Sequence, residues 1–147
     1  MELDAFLADS ADSAQGKIYA LGIGWNAIMS GAFPFQQPRI ALGVVVQVPY
    51  TETNETHTLQ IFLEDEDGHR HQLASGISPD GLPVPLFEFS TEFAIGRPPQ
   101  LPAGDAQAIP FAINFDQLRF ERPGAFNWVI TVPGATRRLP MRINRAS

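Results

Sequence analysis

Apolar residues recur at every second position through most of this chain, and that period constrains the fold more than any other feature. Successive side chains of a strand point to opposite sides of a sheet, so strict alternation marks a strand with one buried face. Ile40, Leu42, Val44, Val46 and Val48 alternate with Arg39, Ala41, Gly43, Val45 and Gln47, and Leu59, Ile61 and Leu63 alternate with Thr58, Gln60, Phe62 and Glu64. The same pattern runs through Phe87–Ile95, Ile109–Phe115, Phe126–Val132 and Leu139–Ile143. Leu3, Ala5 and Leu7, then Tyr19, Leu21, Ile23 and Trp25, supply two strands near the N-terminus. No window of about 11 residues sustains a helical period. The expected fold is all-β, with about eight strands in an antiparallel two-sheet sandwich, immunoglobulin-like or a small jelly roll, and barrel closure as the alternative.

The 147 residues are enough for one domain that buries a sizeable core, and residues 1–147 are expected to form a single β-sandwich. Turn chemistry at "DEDG" (Asp65–Gly68), "SPDG" (Ser78–Gly81) and "RPG" (Arg122–Gly124) favours hairpins and short corners. The stiff stretch "GRPPQLPAGD", Gly96–Asp105, is expected to cross from one sheet to the other. Cysteine is absent, which removes thiol chemistry and fits a reducing compartment, so a cytoplasmic location is expected. Acidic residues near the N-terminus argue against an export signal, and no apolar run is long enough for a membrane-spanning helix. A net charge of −6 argues against nucleic-acid binding.

Several motifs invite chemistry and are judged by their context. "GIGWNA", Gly22–Ala27, matches G-x-G-x-x-A, but a dinucleotide site needs a helix to follow, and Gly31, Pro34 and Pro38 forbid one. Gly22 and Gly24 are therefore expected on one face of a strand. The acidic run Glu64–Asp67 before Gly68 misses calcium-loop spacing, because the first ligand position falls on Leu63, and reads as a solvated hairpin turn. His69 and His71 would share a strand face, with His57 approaching across the hairpin; exposed histidines are the favoured reading over a zinc site. Glu88 and Glu92 lie on the polar face of one strand, and no nucleophile elbow is present. No catalytic, cofactor or metal site is expected. Arg137, Arg138, Arg142 and Arg145 crowd the last strand, either as edge protection or, at Arg138 and Arg142, as a partner-binding stripe.

The stretches "DAFLADSA", "GKIYALGIGW", "VPYTETNETH", "LEDEDG", "GRPPQLPAG", "IPFAINF" and "RPGAFNWVITVPG" resemble a family of short bacterial proteins, common in actinobacteria, that forms a domain of unknown function. The resemblance covers nearly the whole chain and implies no activity, ligand or catalytic residue. A looser likeness links Pro123, Gly124, Ala125, Phe126, Asn127 and Trp128 to the late hairpin of immunoglobulin-like domains, with Phe126 in place of the corner tyrosine.

These features favour a non-enzymatic binding or adaptor module that acts through protein contacts or self-association. Phe33, Phe35 and Tyr50 are its candidate anchors, unless they fold over the ends of the core. The alternative is a small-ligand or carbohydrate-binding domain offering the rings of Tyr19, Trp25, Tyr50 or Trp128.

Overall fold

The alternating runs become strands because each can bury one apolar set against another sheet. In the computed structural model, which describes residues 1–147, the elements are β1 (Glu2–Ala8), β2 (Ser10–Ala14), β3 (Lys17–Leu21), β4 (Ala27–Ser30), β5 (Phe35–Val48), a 3-10 turn (Tyr50–Glu52), β6 (His57–Asp65), β7 (Ala74–Ile77), β8 (Pro83–Leu86), β9 (Phe89–Phe93), β10 (Gln107–Phe120), β11 (Gly124–Val132) and β12 (Ala135–Arg145). A three-stranded sheet has the order β1-β5-β10, and a five-stranded sheet the order β4-β12-β11-β6-β9. Their inner faces share one core, in which Leu42 and Val44 of β5 meet Ile61 of β6 and Ile130 of β11. Trp128 of the larger sheet stacks on Phe115 of the smaller, ring centroids 5.0 Å apart.

The chain is all-β, but the eight-strand, two-sheet sandwich that the alternation predicts is not confirmed. Twelve strands form four sheets, one of them curled into a half-barrel, and the added pairs are the hairpins β2–β3 and β7–β8. One pairing, β4 with β12, is parallel. It spans only Arg142–Arg145 on β12, because Arg142 points its N–H at the carbonyl of Asn26 and Pro140, two residues earlier on the same side, has no N–H to offer. β12 is thus interior, between β11 and β4, only from Arg142 to Arg145; Arg137 and Arg138 lie where β11 is its sole partner, so the expected edge role is corrected at Arg142 and Arg145 and not at Arg137 and Arg138. The Gly96–Asp105 stretch does lead from the five-stranded to the three-stranded sheet, as its stiffness predicts.

β2 and β3 fold back as a flap over the outer face of the three-stranded sheet. That face is unusually flat, with Ala41 and Gly43 on β5 and Ala112 on β10, so backbone can approach closely. Ala11 of the flap packs on Ala8 and Ala41, while the Asn114 side chain takes the place of a strand: its Nδ2 donates to the Ala11 carbonyl at 2.8 Å and its Oδ1 accepts the Ala11 N–H at 3.2 Å. The expected strand through Tyr19, Leu21, Ile23 and Trp25 stops at Leu21. Gly22 and Gly24 have φ of 74° and 105°, so they leave the pleat rather than line a strand face.

Gly43 is required by a close approach. The Phe6 ring, directly across on β1, lies over it, and a Cβ at Gly43 would fall inside that ring. Gly43→Val is expected to cost about 1–3 kcal/mol in urea unfolding, and Phe6→Ala in the same chain should recover part of the loss, because contacting sites are non-additive. Equal losses with and without Phe6 would contradict the contact.

A second departure from simple alternation positions the functional end. Gln117 on β10 adopts φ 57° opposite Pro38, which lacks an N–H for the ladder. The inward set on β10 therefore changes from odd positions, ending at Phe115, to Leu118 and Phe120. On β5 the partner set changes from Ile40 to Phe35. Phe120, now inward and buried, carries the histidine described next.

Candidate functional site

One end of the molecule gathers the turn after β6, the bend between β10 and β11, and the β7–β8 hairpin. Asp65 closes the first turn: its Oδ1 accepts the N–H of Asp67 at 3.0 Å and of His69 at 2.9 Å. The His69 N–H, with that of Asp67 adding to it, holds the Asp65 carboxyl below its usual range against the opposing effect of desolvation. The chain then runs back beside β6, where the His71 N–H donates to the Leu63 carbonyl at 2.7 Å.

His71 lies against aromatic rings. It stacks on Phe120 at 4.8 Å and meets Phe126 edge-on at 5.6 Å. Its Nε2 lies 2.7 Å from the Arg119 carbonyl; a carbonyl only accepts, so Nε2 carries the proton and Nδ1 is the bare nitrogen of the neutral ring. Burial pushes the imidazole below its ordinary 6.5, against the pull of the Arg119 carbonyl and of the Asp65 and Glu121 carboxylates. The unfolded chain therefore takes up a proton where the folded one does not. Stability from a neutral His71 is complete above the ordinary 6.5 and is lost as pH falls below it, so the urea midpoint should decline as the solution is acidified through that value. His71→Gln should flatten that slope, and an unchanged slope would reject the assignment.

Two clefts meet at His71 and Glu121. The first, about 330 Å³, is walled by Asp65, Glu66, Asp67 and Glu121 with Arg122. The second, about 550 Å³, lies beside β7 and includes Asp116, Arg119 and Ala74. Asp116 is occupied by Arg39, whose Nε and Nη2 reach it at 2.6 and 3.2 Å; this hydrogen-bonded pairing lowers the carboxyl and raises the guanidinium. Arg119 pairs with Glu121 at 2.7 Å. Asp65, Asp67 and His69 bring one ligand atom each within 4.8 Å of one another and are the residues best placed to hold a metal ion, although the turn's N–H groups already occupy Asp65 Oδ1.

The β7–β8 hairpin stands out from the clefts as an arm. Its tip is closed by Ser78 and Asp80; the Ser78 hydroxyl donates to the Asp80 carboxylate and lowers its pKa. Ile77, Leu82, Val84, Leu86 and Phe87 are all exposed, Ile77 to 80% and Leu82 to 60%. Isolated two-stranded hairpins are marginal in water, and here the apolar residues are largely left outside the core. The turn signal "SPDG" was legible in the sequence; the strands around it were not, because Pro83, Pro85 and Gly76 interrupt any alternating pattern.

The residues singled out from sequence lie elsewhere. Phe33 and Phe35 are half-buried, edge-to-face at 5.4 Å, with Phe35 stacked on Phe120 and the Arg145 guanidinium over Phe33. Arg97 covers the half-buried Tyr50 ring, 3.8 Å from its centroid, and donates to the Tyr50 carbonyl. These three aromatics thus cap the core instead of standing free. Arg138 and Arg142 are exposed on the outer face of the five-stranded sheet, and Arg138 is paired with Glu64. His57 sits at the far end of β6 beside Phe93, its Nε2 2.8 Å from the Glu52 carbonyl, so the three histidines do not converge. Of the four candidate ligand-stacking rings, Trp128 is fully buried and Trp25 packs on the core, whereas Tyr19 is open on the flap.

No helix is long and apolar enough to cross a membrane. No curated protein matches the sequence. Among solved structures, a family 123 glycoside hydrolase from Clostridium perfringens aligns with 15% identity and a TM-score of 0.36, over 97% of this chain and 27% of that enzyme. The chain thus spans about a quarter of that enzyme's length, and a likeness this weak carries no argument about fold or activity. The model of DUF6941, a family of unknown function, matches residues 3–144, and the chain belongs to that family.

Proposed function

We propose that this protein is a non-enzymatic binding module that works through protein contacts, with the β7–β8 arm as its contact surface. The observation that carries this reading is the set of five large apolar side chains exposed on one projecting hairpin, with Leu82, Val84 and Leu86 on one face and Ile77 on the other. The largest apolar patch on a monomer is often a functional surface, and side chains such as Ile77 and Leu82 add nothing to the core that would explain them. The role falls to the arm and not to Phe33, Phe35 and Tyr50, which are packed against their own chain. The small-ligand reading is left with Tyr19 as its one open ring.

Ile77→Ser with Leu82→Ser tests the proposal. Both residues are exposed, so folding stability should change by less than about 0.5 kcal/mol at each site. A stoichiometric complex formed by the tagged wild-type chain in its own cells, sized by light scattering after cross-linking, should weaken by at least about thirtyfold in the double variant. Retention of the complex at unchanged affinity would reject the arm as the contact surface.

A further inference from the structure

The negative charge of this protein is concentrated in the stretch of chain that carries the arm, although Glu92 lies at the far end beside Thr58 and Glu64 is paired with Arg138. Residues 64–92 hold seven acidic residues against one arginine, Arg70, a balance of −6, while the rest of the chain is even at nine against nine. The whole net charge of −6 therefore belongs to the segment that builds the turn after β6, the arm and its return into β9. The two clefts continue this surface: Asp65, Glu66, Asp67 and Glu121 outnumber Arg122 in the first, and the second, where Arg119 pairs with Glu121 and Arg39 with Asp116, runs along Ala74 and Ser75 of the arm itself.

The arm offers its side chains more than its outer β8 edge. Ser78 donates its N–H to the Leu82 carbonyl, so Leu82, Val84 and Leu86 point their backbone groups toward β7. Pro83 and Pro85 then face outward, and neither has an N–H with which an added strand could pair. Recognition on that side must come from the apolar side chains and the charge beside them.

We infer that the arm docks a basic polypeptide segment, aliphatic side chains resting on Leu82, Val84 and Leu86, which share one face of the hairpin, and lysine or arginine side chains lying in the cleft walled by Asp65, Glu66 and Asp67. This rests on the reading of the chain as a protein-contact module and names the partner's chemistry. A second copy of the chain fits this end poorly, because pairing the two arms brings like charge against like charge. The arm's apolar side chains also expose only on the order of 400–500 Å², short of the roughly 800 Å² that each partner of a stable complex buries, so the cleft must contribute. Attraction between the acidic cleft and a basic segment would raise the association rate and make it sensitive to salt.

The test uses the full chain and three labelled synthetic peptides of about twelve residues, with leucine and valine at alternate positions and lysine, glutamine or glutamate between them; fluorescence anisotropy reads binding. The lysine peptide should bind saturably and at least about tenfold tighter than the glutamine peptide at low salt, with the preference reduced several-fold at about 0.5 M salt. Ile77→Ser with Leu82→Ser should remove the binding, and Glu66→Gln with Glu121→Gln should lower affinity for the lysine peptide while leaving the glutamine peptide unchanged. Equal affinity for the lysine and glutamine peptides, or no binding of the lysine peptide, overturns the inference. So does a lysine preference that survives the arm substitutions, since that is charge attraction without docking. Concentration-dependent dimerisation abolished by the same substitutions would give the arm to a second copy and likewise overturn it. Failure of the underlying reading is separate: it appears as a cellular complex indifferent to the arm.

Discussion

Trp128→Ala is expected to lower folding stability by about 3–5 kcal/mol, among the largest losses from any single truncation in the core. Trp128 is fully buried at the centre of β11 and stacks on Phe115 of the opposite sheet, so its removal leaves a cavity where the two principal sheets meet. The indole Nε1 is also buried without a hydrogen-bond partner, and an unsatisfied buried donor opposes folding by about 1–3 kcal/mol. Trp128→Phe removes that donor while keeping a ring in place, so it should lose less than about 1.5 kcal/mol. Urea unfolding of both variants separates the terms: equal losses for alanine and phenylalanine would show that indole packing, and not ring volume at this site, dominates.

Phe120→Ala should lose about 3–5 kcal/mol as well, with a second readout at the functional end. Phe120 is fully buried and touches Phe35, Phe126 and His71. Truncation opens the wall that keeps water from the His71 ring, and desolvation is the largest influence lowering its pKa. The His71 titration, followed by NMR, should therefore move up toward the ordinary value of 6.5. An unchanged titration in a variant that remains folded would show that Phe120 does not shield the imidazole.

Legibility in the sequence followed the origin of each feature. Runs such as Ile40–Val48 and Phe126–Val132 declared themselves because one face of each strand is buried along its length, which imposes the period on the residues. β2 (Ser10–Ala14) is polar and small and has no such period; it is a strand because it pairs with β3 through a turn in which Gln15 and Gly16 both have positive φ. β7 and β8 were hidden for the opposite reason, since their apolar residues face solvent and proline interrupts them. The candidate anchors were misplaced on the same ground. Phe33, Phe35 and Tyr50 sit in proline-bearing connections, where a sequence cannot separate a ring turned outward from one folded onto its own core.

By itself the sequence determined that the chain is β throughout, which residues alternate into the core, where several turns fall, and that no thiol chemistry is available, because each of these depends on local geometry or on composition. It also carried the concentration of negative charge in residues 64–92, which is a property of order along the chain. Tertiary structure alone decided that β4 covers the end of β12 from Arg142, that the phase of β10 changes at Gln117 so that Phe120 meets His71, and that the acidic turn and the β7–β8 arm lie at the same end of the molecule. Those outcomes depend on pairing between residues far apart in the chain, and strand periodicity specifies which face of a strand is apolar without specifying which strand it meets.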